Sequence, residues 1–240
     1  MNEHAKMTAP TAPFKPIDFL AREIDAERRP NGEIILRQRI PLNEYQRCIP
    51  LYLAKWAQER ADQTWLAQRR GPERAWKKVS YAEAKRDVDA VTQALLDMKL
   101  TPEQPVAILS GNSIEHALMT QAAMQAGVPA APVSPAYSMM SQDHAKLRYI
   151  FDLIKPGVVM VQDGVAFGKA LKALDLTGVT VIHVDRAPEG IPSRAWADLV
   201  ATKRTDAVDK AIAAVGPKTV GKLLFTSGST GMPKAVINTQ

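Results

Sequence analysis

The sequence predicts an α/β fold, a parallel sheet rich in βαβ units with helices on both faces. Three observations carry that expectation. Short, fully apolar runs such as Val106-Ala-Ile-Leu109 and Val158-Val-Met-Val161 alternate with helix-like stretches of roughly ten to fifteen residues, the pattern of strands covered on both sides. Breaks at Gly127, Pro156-Gly157 and Gly178 separate the elements. The chain has 240 residues, 46% hydrophobic and 23% charged, which is enough to bury a sizeable core and ordinary for a globular protein.

In chain order, residues 1–16 are polar and Pro-rich and read as a mobile tail, the start of an N-terminal arm over residues 1–47. Residues 33–40 alternate enough for a short strand, which Pro41 ends. From Ile49, the apolar positions Leu51, Leu53-Ala54 and Trp56-Ala57 mark a helix. Thr64-Trp-Leu-Ala67 reads as a strand, and so do residues 76–79 after the Gly71-Pro72 turn. Ser80-Tyr-Ala-Glu83 is a capping box, in which the serine hydroxyl meets the Glu83 amide and the carboxylate reaches back. Behind it Ala84, Val88, Val91, Leu95 and Met98 follow helical spacing with one buried stripe.

The strand at Val106-Leu109 leads into Ser110-Gly-Asn-Ser113. Asn112 is expected as the N-cap, with Glu115 three residues on, and the helix runs to about Ala126. Gly127 stops it, and residues 128–133 supply the next strand. Residues 141–154 are expected as helix, 158–161 as strand, 165–174 as helix and 179–184 as strand. Residues 194–202 and 206–215 are weaker helical stretches.

Composition excludes several classes of function. The formal charge is +6, but the basic pairs Arg28-Arg29, Arg69-Arg70 and Lys77-Lys78 are scattered among acidic and neutral residues. No basic stripe suits nucleic acid, although a mild positive field suits an anionic small molecule. Cys48 is the lone cysteine, so no intrachain disulfide forms, and His4, His116, His144 and His183 show no metal-ligand spacing. No apolar run is long enough to span a bilayer and none resembles a signal-peptide core, so a cytoplasmic location without membrane insertion is expected.

The most informative stretch is Leu223-Leu-Phe-Thr-Ser-Gly-Ser-Thr-Gly-Met-Pro-Lys-Ala-Val236, two strand-like runs around a loop of hydroxyl residues and glycines. Successive backbone N–H groups in such a loop form an anion nest, glycine admits a polyanion closely, and Lys234 adds a point charge. A plain hairpin turn has a similar composition. A second phosphate-loop candidate, Gly216-Pro-Lys-Thr-Val-Gly221-Lys222-Leu223, nearly spells a Walker A motif. It lacks the Ser or Thr that would hold Mg²⁺, and an apolar strand follows it where a helix should open.

Phe225-Thr-Ser-Gly-Ser-Thr-Gly-Met-Pro-Lys-Ala-Val236 closely resembles the signature loop of the adenylate-forming superfamily, which includes acyl- and aryl-CoA synthetases, luciferases and peptide-synthetase adenylation domains. Ala123-Met-Gln-Ala-Gly127-Val-Pro-Ala-Ala-Pro132-Val resembles its second signature. The resemblance covers residues 48–240, as the N-terminal portion of an AMP-binding domain. Leu109-Ser-Gly-Asn-Ser-Ile-Glu-His116, Pro132-Val-Ser-Pro-Ala-Tyr-Ser138 and Lys146-Leu-Arg148 look most like the feruloyl-CoA synthase group.

The resemblance implies activation of a small aromatic or acyl carboxylate with Mg-ATP, then transfer to coenzyme A. It assigns Thr226, Ser227, Ser229 and Thr230 as hydrogen-bond donors to the β- and γ-phosphates. Gly228 and Gly231 permit close approach, and Lys234 balances pyrophosphate charge. No enzyme nucleophile and no metal ligand is implied in this stretch. Ala235 stands where many members have Gly. The groups that hold adenine, ribose and Mg²⁺, and the lysine that contacts the adenylate carboxylate, belong to later segments of the family. A truncated chain with a missing C-terminal part is therefore expected. The alternative is a non-catalytic nucleotide-binding remnant or interaction module. His116, Tyr137, Lys146 and Arg148 are expected as packing or surface residues, and Trp56, Trp65 and Trp76 as core.

Overall fold

The structure is a computed structural model that describes residues 19, 21, 23–226 and 231–240. It contains two compact units, residues 1–45 and residues 46–240.

In the first unit β1 (Ile24–Arg28) and β2 (Ile34–Gln38) form an antiparallel hairpin with Ile24 opposite Gln38 and Arg28 opposite Ile34. Gly32, at φ +85°, makes the turn possible. Cross-strand pairs of Arg37 with Glu27 (2.7 Å) and Arg39 with Asp25 lie in the open. The sequence pattern showed only the second strand, because the charged residues of β1 carry no apolar alternation.

The second unit begins with α1 (Pro50–Glu59), the hairpin of β3 (Thr64–Arg70) and β4 (Ala75–Ser80), and α2 (Tyr81–Asp97). The capping box is formed: the Glu83 N–H donates to the Ser80 hydroxyl (3.2 Å), and the Ser80 N–H donates to the Glu83 carboxylate (2.8 Å). Ala84, Val88, Val91 and Leu95 are buried. Asp89, Thr92 and Gln93 are buried too, because α2 is covered on a second side. Gln125 donates to Asp89 (2.7 Å), Arg204 pairs with Asp89 (3.3 Å), and the Thr205 hydroxyl donates to Gln93 (2.8 Å).

The remaining elements are β5 (Val106–Leu109), α3 (Ile114–Ala126), β6 (Ala130–Pro132), α4 (Ala145–Ile154), β7 (Val158–Val161), α5 (Gly168–Lys172), β8 (Thr180–His183), β9 (Arg194–Ala195), α6 (Trp196–Val200), α7 (Ala207–Ala214), β10 (Val220–Thr226) and β11 (Lys234–Thr239). One seven-stranded sheet has the order β11-β10-β6-β5-β7-β8-β9. All its neighbours are parallel except β10 and β11. Val106 and Ile108 face the cluster containing α2 and α3 side chains, whereas Ala107 and Leu109 face the cluster containing α4 and α5. The predicted two-sided parallel sheet is thus present, and its central strands are buried on both faces.

Several boundaries differ from expectation. Ser113, not Asn112, caps α3: its hydroxyl accepts the His116 N–H at 3.0 Å. Residues 141–144 are not helical. A single π-helical turn, Ala136–Met140, precedes them, and His144 sits at φ +50° before α4 starts. The Asp163 carboxylate accepts the Val165 and Ala166 N–H groups (2.9 and 3.1 Å), which delays α5 to Gly168. Arg194 and Ala195 extend the sheet beside β8 before α6 begins.

Trp76 is a correction as well. It is 56% exposed with the Arg69 guanidinium 4.8 Å from its ring, so it is not core. Trp56 and Trp65 are half-buried, and the tryptophan of the core is Trp196.

Candidate phosphate-binding hairpin

Beta10 runs up the sheet parallel to β6, and the chain returns as β11 beside it. Thr226 is the cross-strand partner of Lys234, and β10 ends and β11 begins with this pair at the carboxyl edge of the parallel sheet. The two readings of this stretch, hairpin and anion cradle, are therefore compatible. Ser227, Gly228, Ser229 and Thr230 lie outside the described residues.

Of the described members, Thr226, Gly231 and Lys234 are all exposed. A Cβ placed on Gly231 would meet no atom of the described residues within 4 Å. Lys234 makes no ion pair among the described residues. Pro233 is buried between these exposed neighbours and lines a groove with Leu153 and Leu223. A buried proline with fixed φ anchors one end of the loop while its neighbours face solvent. The groove, of about 820 Å³, runs between α4 and the β10–β11 pair.

The Walker-like stretch is not a phosphate loop. Gly221 and Lys222 lie within β10, and no helix opens after them.

The β5–α3 connection sits at the same edge, two strands away. His116 Nδ1 is 2.8 Å from the Ser110 hydroxyl. Burial lowers the His116 pKa below its ordinary value; a hydrogen bond with the Gly111 backbone opposes that shift, and the Lys222 charge adds to it. His116 is thus a half-buried fastening of the loop. Tyr137 packs against the α4-side core with the Lys146 ammonium 5.6 Å from its ring. Lys146 and Arg148 lie on the exposed face of α4, where Arg148 donates to the Asp143 carbonyl (2.7 Å).

The sequence offers Glu115 only as the residue three on from Asn112 and Arg70 only in a scattered basic pair, and their pairing is not legible there. Glu115 is 3% exposed and pairs with Arg70, with Lys77 3.6 Å away, which ties the β3–β4 hairpin to the first turn of α3. No local pattern announces a pair separated by so many residues. A carboxylate in an otherwise apolar helix stripe is the one available sign.

Among the described residues, no group of three His, Cys, Asp or Glu side chains could hold a metal ion. No described helix is long and apolar enough to cross a membrane.

A family model described as "AMP-binding enzyme" matches residues 53–240. The 3-[(3aS,4S,7aS)-7a-methyl-1,5-dioxo-octahydro-1H-inden-4-yl]propanoyl:CoA ligase of Mycobacterium tuberculosis (strain ATCC 25618 / H37Rv) is 29% identical over 162 residues, covering 65% of this chain and 30% of the relative. The chain thus matches about a third of that protein's length. Among solved structures, a Mycobacterium tuberculosis fatty acyl CoA synthetase aligns with TM-score 0.60 and 19% identity, over 80% of this chain and 34% of that one. A fatty acyl-adenylate ligase from L. pneumophila, in complex with acyl adenylate and pyrophosphate, aligns with TM-score 0.58 and 17% identity, over 81% and 30%. At these identities the structural likeness shows the fold, a mixed α/β domain like the N-terminal domain of adenylate-forming enzymes.

Proposed function

The chain belongs to the AMP-binding enzyme family, and from that premise we propose that it forms the N-terminal part of an ATP-dependent carboxylate–CoA ligase. The substrate carboxylate oxygen bonds to the α-phosphorus of ATP, the bond to the bridging oxygen breaks, and pyrophosphate leaves. The thiolate of coenzyme A then attacks the acyl carbon and AMP departs, giving a thioester. Both steps need positioning and charge compensation rather than an enzyme nucleophile.

In this reading the hairpin loop holds the β- and γ-phosphates. Thr226 donates its hydroxyl, Gly231 leaves room for a phosphate oxygen, and Lys234 offsets the charge that grows on departing pyrophosphate. Ser227, Gly228, Ser229 and Thr230 complete the cradle by the sequence resemblance. Mg²⁺ would accompany the triphosphate and screen its charge; no cluster of this chain's described carboxylates is assigned to it. The observation that carries the reading is the pairing of Thr226 with Lys234 at the carboxyl edge of the sheet, with Lys234 exposed and without an ion-pair partner among the described residues.

For the substrate, the stretch from Leu109 to His116 and the Pro132–Ser138 stretch support a hydroxycinnamate such as ferulate. The matched relatives are named for other acyl groups. Incubating the protein that carries this chain with ATP, Mg²⁺, coenzyme A and either ferulate, benzoate or a fatty acid tests both levels. Thioester with ferulate supports the full proposal, thioester with another acid retains the ligase and replaces the substrate, and no thioester with any acid removes both.

A further inference from the structure

Gly221, the glycine of the Walker-like stretch, sits at an irregularity in the β10–β11 ladder. On its N-terminal side Val220 stands opposite Thr239, and the Gln240 N–H donates to the Thr219 carbonyl (3.0 Å). On its C-terminal side Lys222 stands opposite Asn238, and this pairing runs on to Thr226 opposite Lys234. Gly221 is therefore an extra residue in β10, a β-bulge. Continued without it, the pairing of Val220 with Thr239 would lead to Thr226 opposite Pro233. Side chains alternate along a strand, so this one-residue slip would also turn Lys234 to the other face.

The side-chain pattern of β11 does little to resist a slip. None of its six residues is buried, and Val236 and Ile237 are exposed side by side. A strand without a buried face specifies its register weakly. Gln240 supplies the missing anchor. Its Nε2 donates to the Met124 carbonyl near the end of α3, and its Oε1 accepts the Ile49 N–H ahead of α1, both at 3.3 Å. These are backbone groups at helix ends, where intrahelical partners run out. The same side chain lies over Gly221, which is buried. A Cβ there would come within 3.3 Å of Gln240 Nε2 and 3.4 Å of Met124 Sδ, so a larger residue fits the bulge only by displacing one of them.

We propose that Gly221 is a positioning residue for the phosphate-binding hairpin: its bulge, packed under Gln240, sets Lys234 opposite Thr226. Gln240 fixes one register at its own end of the ladder, and the bulge advances the pairing by one residue before it reaches the loop. Gly221 lies five residues before Thr226, about 17 Å along the strand, and acts through Lys234. The role of Lys234 rests on the ligase reading, whereas the register does not.

The test traps each register as a disulfide in the protein carrying this chain, with the cross-link located by mass spectrometry. Leu224→Cys with Val236→Cys joins partners of the observed ladder, whereas Leu224→Cys with Ala235→Cys joins partners only after the slip. Gly221→Val is expected to raise trapping of the slipped pair about tenfold, one hydrogen bond's worth of register preference. Adding Gln240→Ala frees the anchor and the space over Gly221, and should return trapping to the observed pair. In single turnovers Gly221→Val should slow adenylate formation about tenfold with acid affinity unchanged, and should add nothing in a Lys234→Ala background, because the two act as one unit. Trapping unchanged by Gly221→Val, a double variant as slipped as the single one, or a further tenfold loss in the Lys234→Ala background would overturn the proposal. Wild-type protein that forms no adenylate with any acid would remove the ligase reading and leave the trapping ratios to decide the register.

Discussion

Thr226 and Lys234 stand opposite one another across the β10–β11 ladder, at the carboxyl edge where the parallel strands end. This register directs a hydroxyl and an ammonium to the two ends of one loop. A phosphate chain laid along that loop meets a neutral donor at one end and a positive charge at the other. Removing the hydroxyl alone should therefore have the smaller effect. Thr226→Val, close in shape, is expected to slow adenylate formation about tenfold, the worth of one hydrogen bond. Stopped-flow measurement of pyrophosphate release would check it, and an unchanged rate would remove Thr226 from the site.

The Arg70–Glu115 pair should matter for stability rather than chemistry. Arg70→Ala strands a carboxylate that is 3% exposed, with only Lys77 at 3.6 Å to compensate. A loss of about 3 kcal/mol is expected, read as a lower urea midpoint at unchanged slope. Replacing both residues with apolar ones of similar size should restore much of the loss.

His116 gives a pH dependence of known sign. Its folded-state pKa lies below the ordinary value of 6.5, chiefly through burial. As pH falls below that value the unfolded chain takes up the proton first, so it binds more protons than the folded one and stability falls with it. Above pH 6.5 both states are neutral and the contribution is flat. His116→Asn should flatten the acid limb of a stability–pH curve. An equally steep limb in the variant would show that other groups control it.

Gly127 closes α3 at φ +76°, where the Val128 N–H donates back to the Ala123 carbonyl at 2.9 Å. Gly127→Ala should cost about 1 kcal/mol through backbone strain alone, since the nearest side-chain atom to the new Cβ, on Val215, would be 3.7 Å away. Thermal denaturation would show it.

What could be read from sequence tracks how local the cause is. Beta5 and β7 have the predicted limits because each is an apolar run between strong breaks, and α2 starts at Tyr81 because Ser80 and Glu83 satisfy one another's backbone. The flanks of the hairpin loop were legible as strands for the same reason. Elements set by distant partners were not. Asn112 looked like the α3 cap, yet Gln68 engages its carbonyl and Ser113 takes the role. Trp76 looked like core, but β4 places it on an open face against Arg69. The order of the sheet, with β6 and β7 on opposite sides of β5, is displayed by no single stretch of sequence.

The proposed ligase role requires the hairpin loop to compensate phosphate charge during carboxylate activation. Its most direct test is a single-turnover measurement of acyl-adenylate formation by the protein carrying this chain, wild type against Lys234→Ala, with the affinity for the acid measured in parallel. The adenylation step is expected to slow by about 10²-fold, the typical cost of losing one preorganised group that meets developing charge, with acid affinity held within about threefold. An adenylation rate that survives the substitution while acid binding collapses would contradict the claim and place Lys234 in the acid pocket instead.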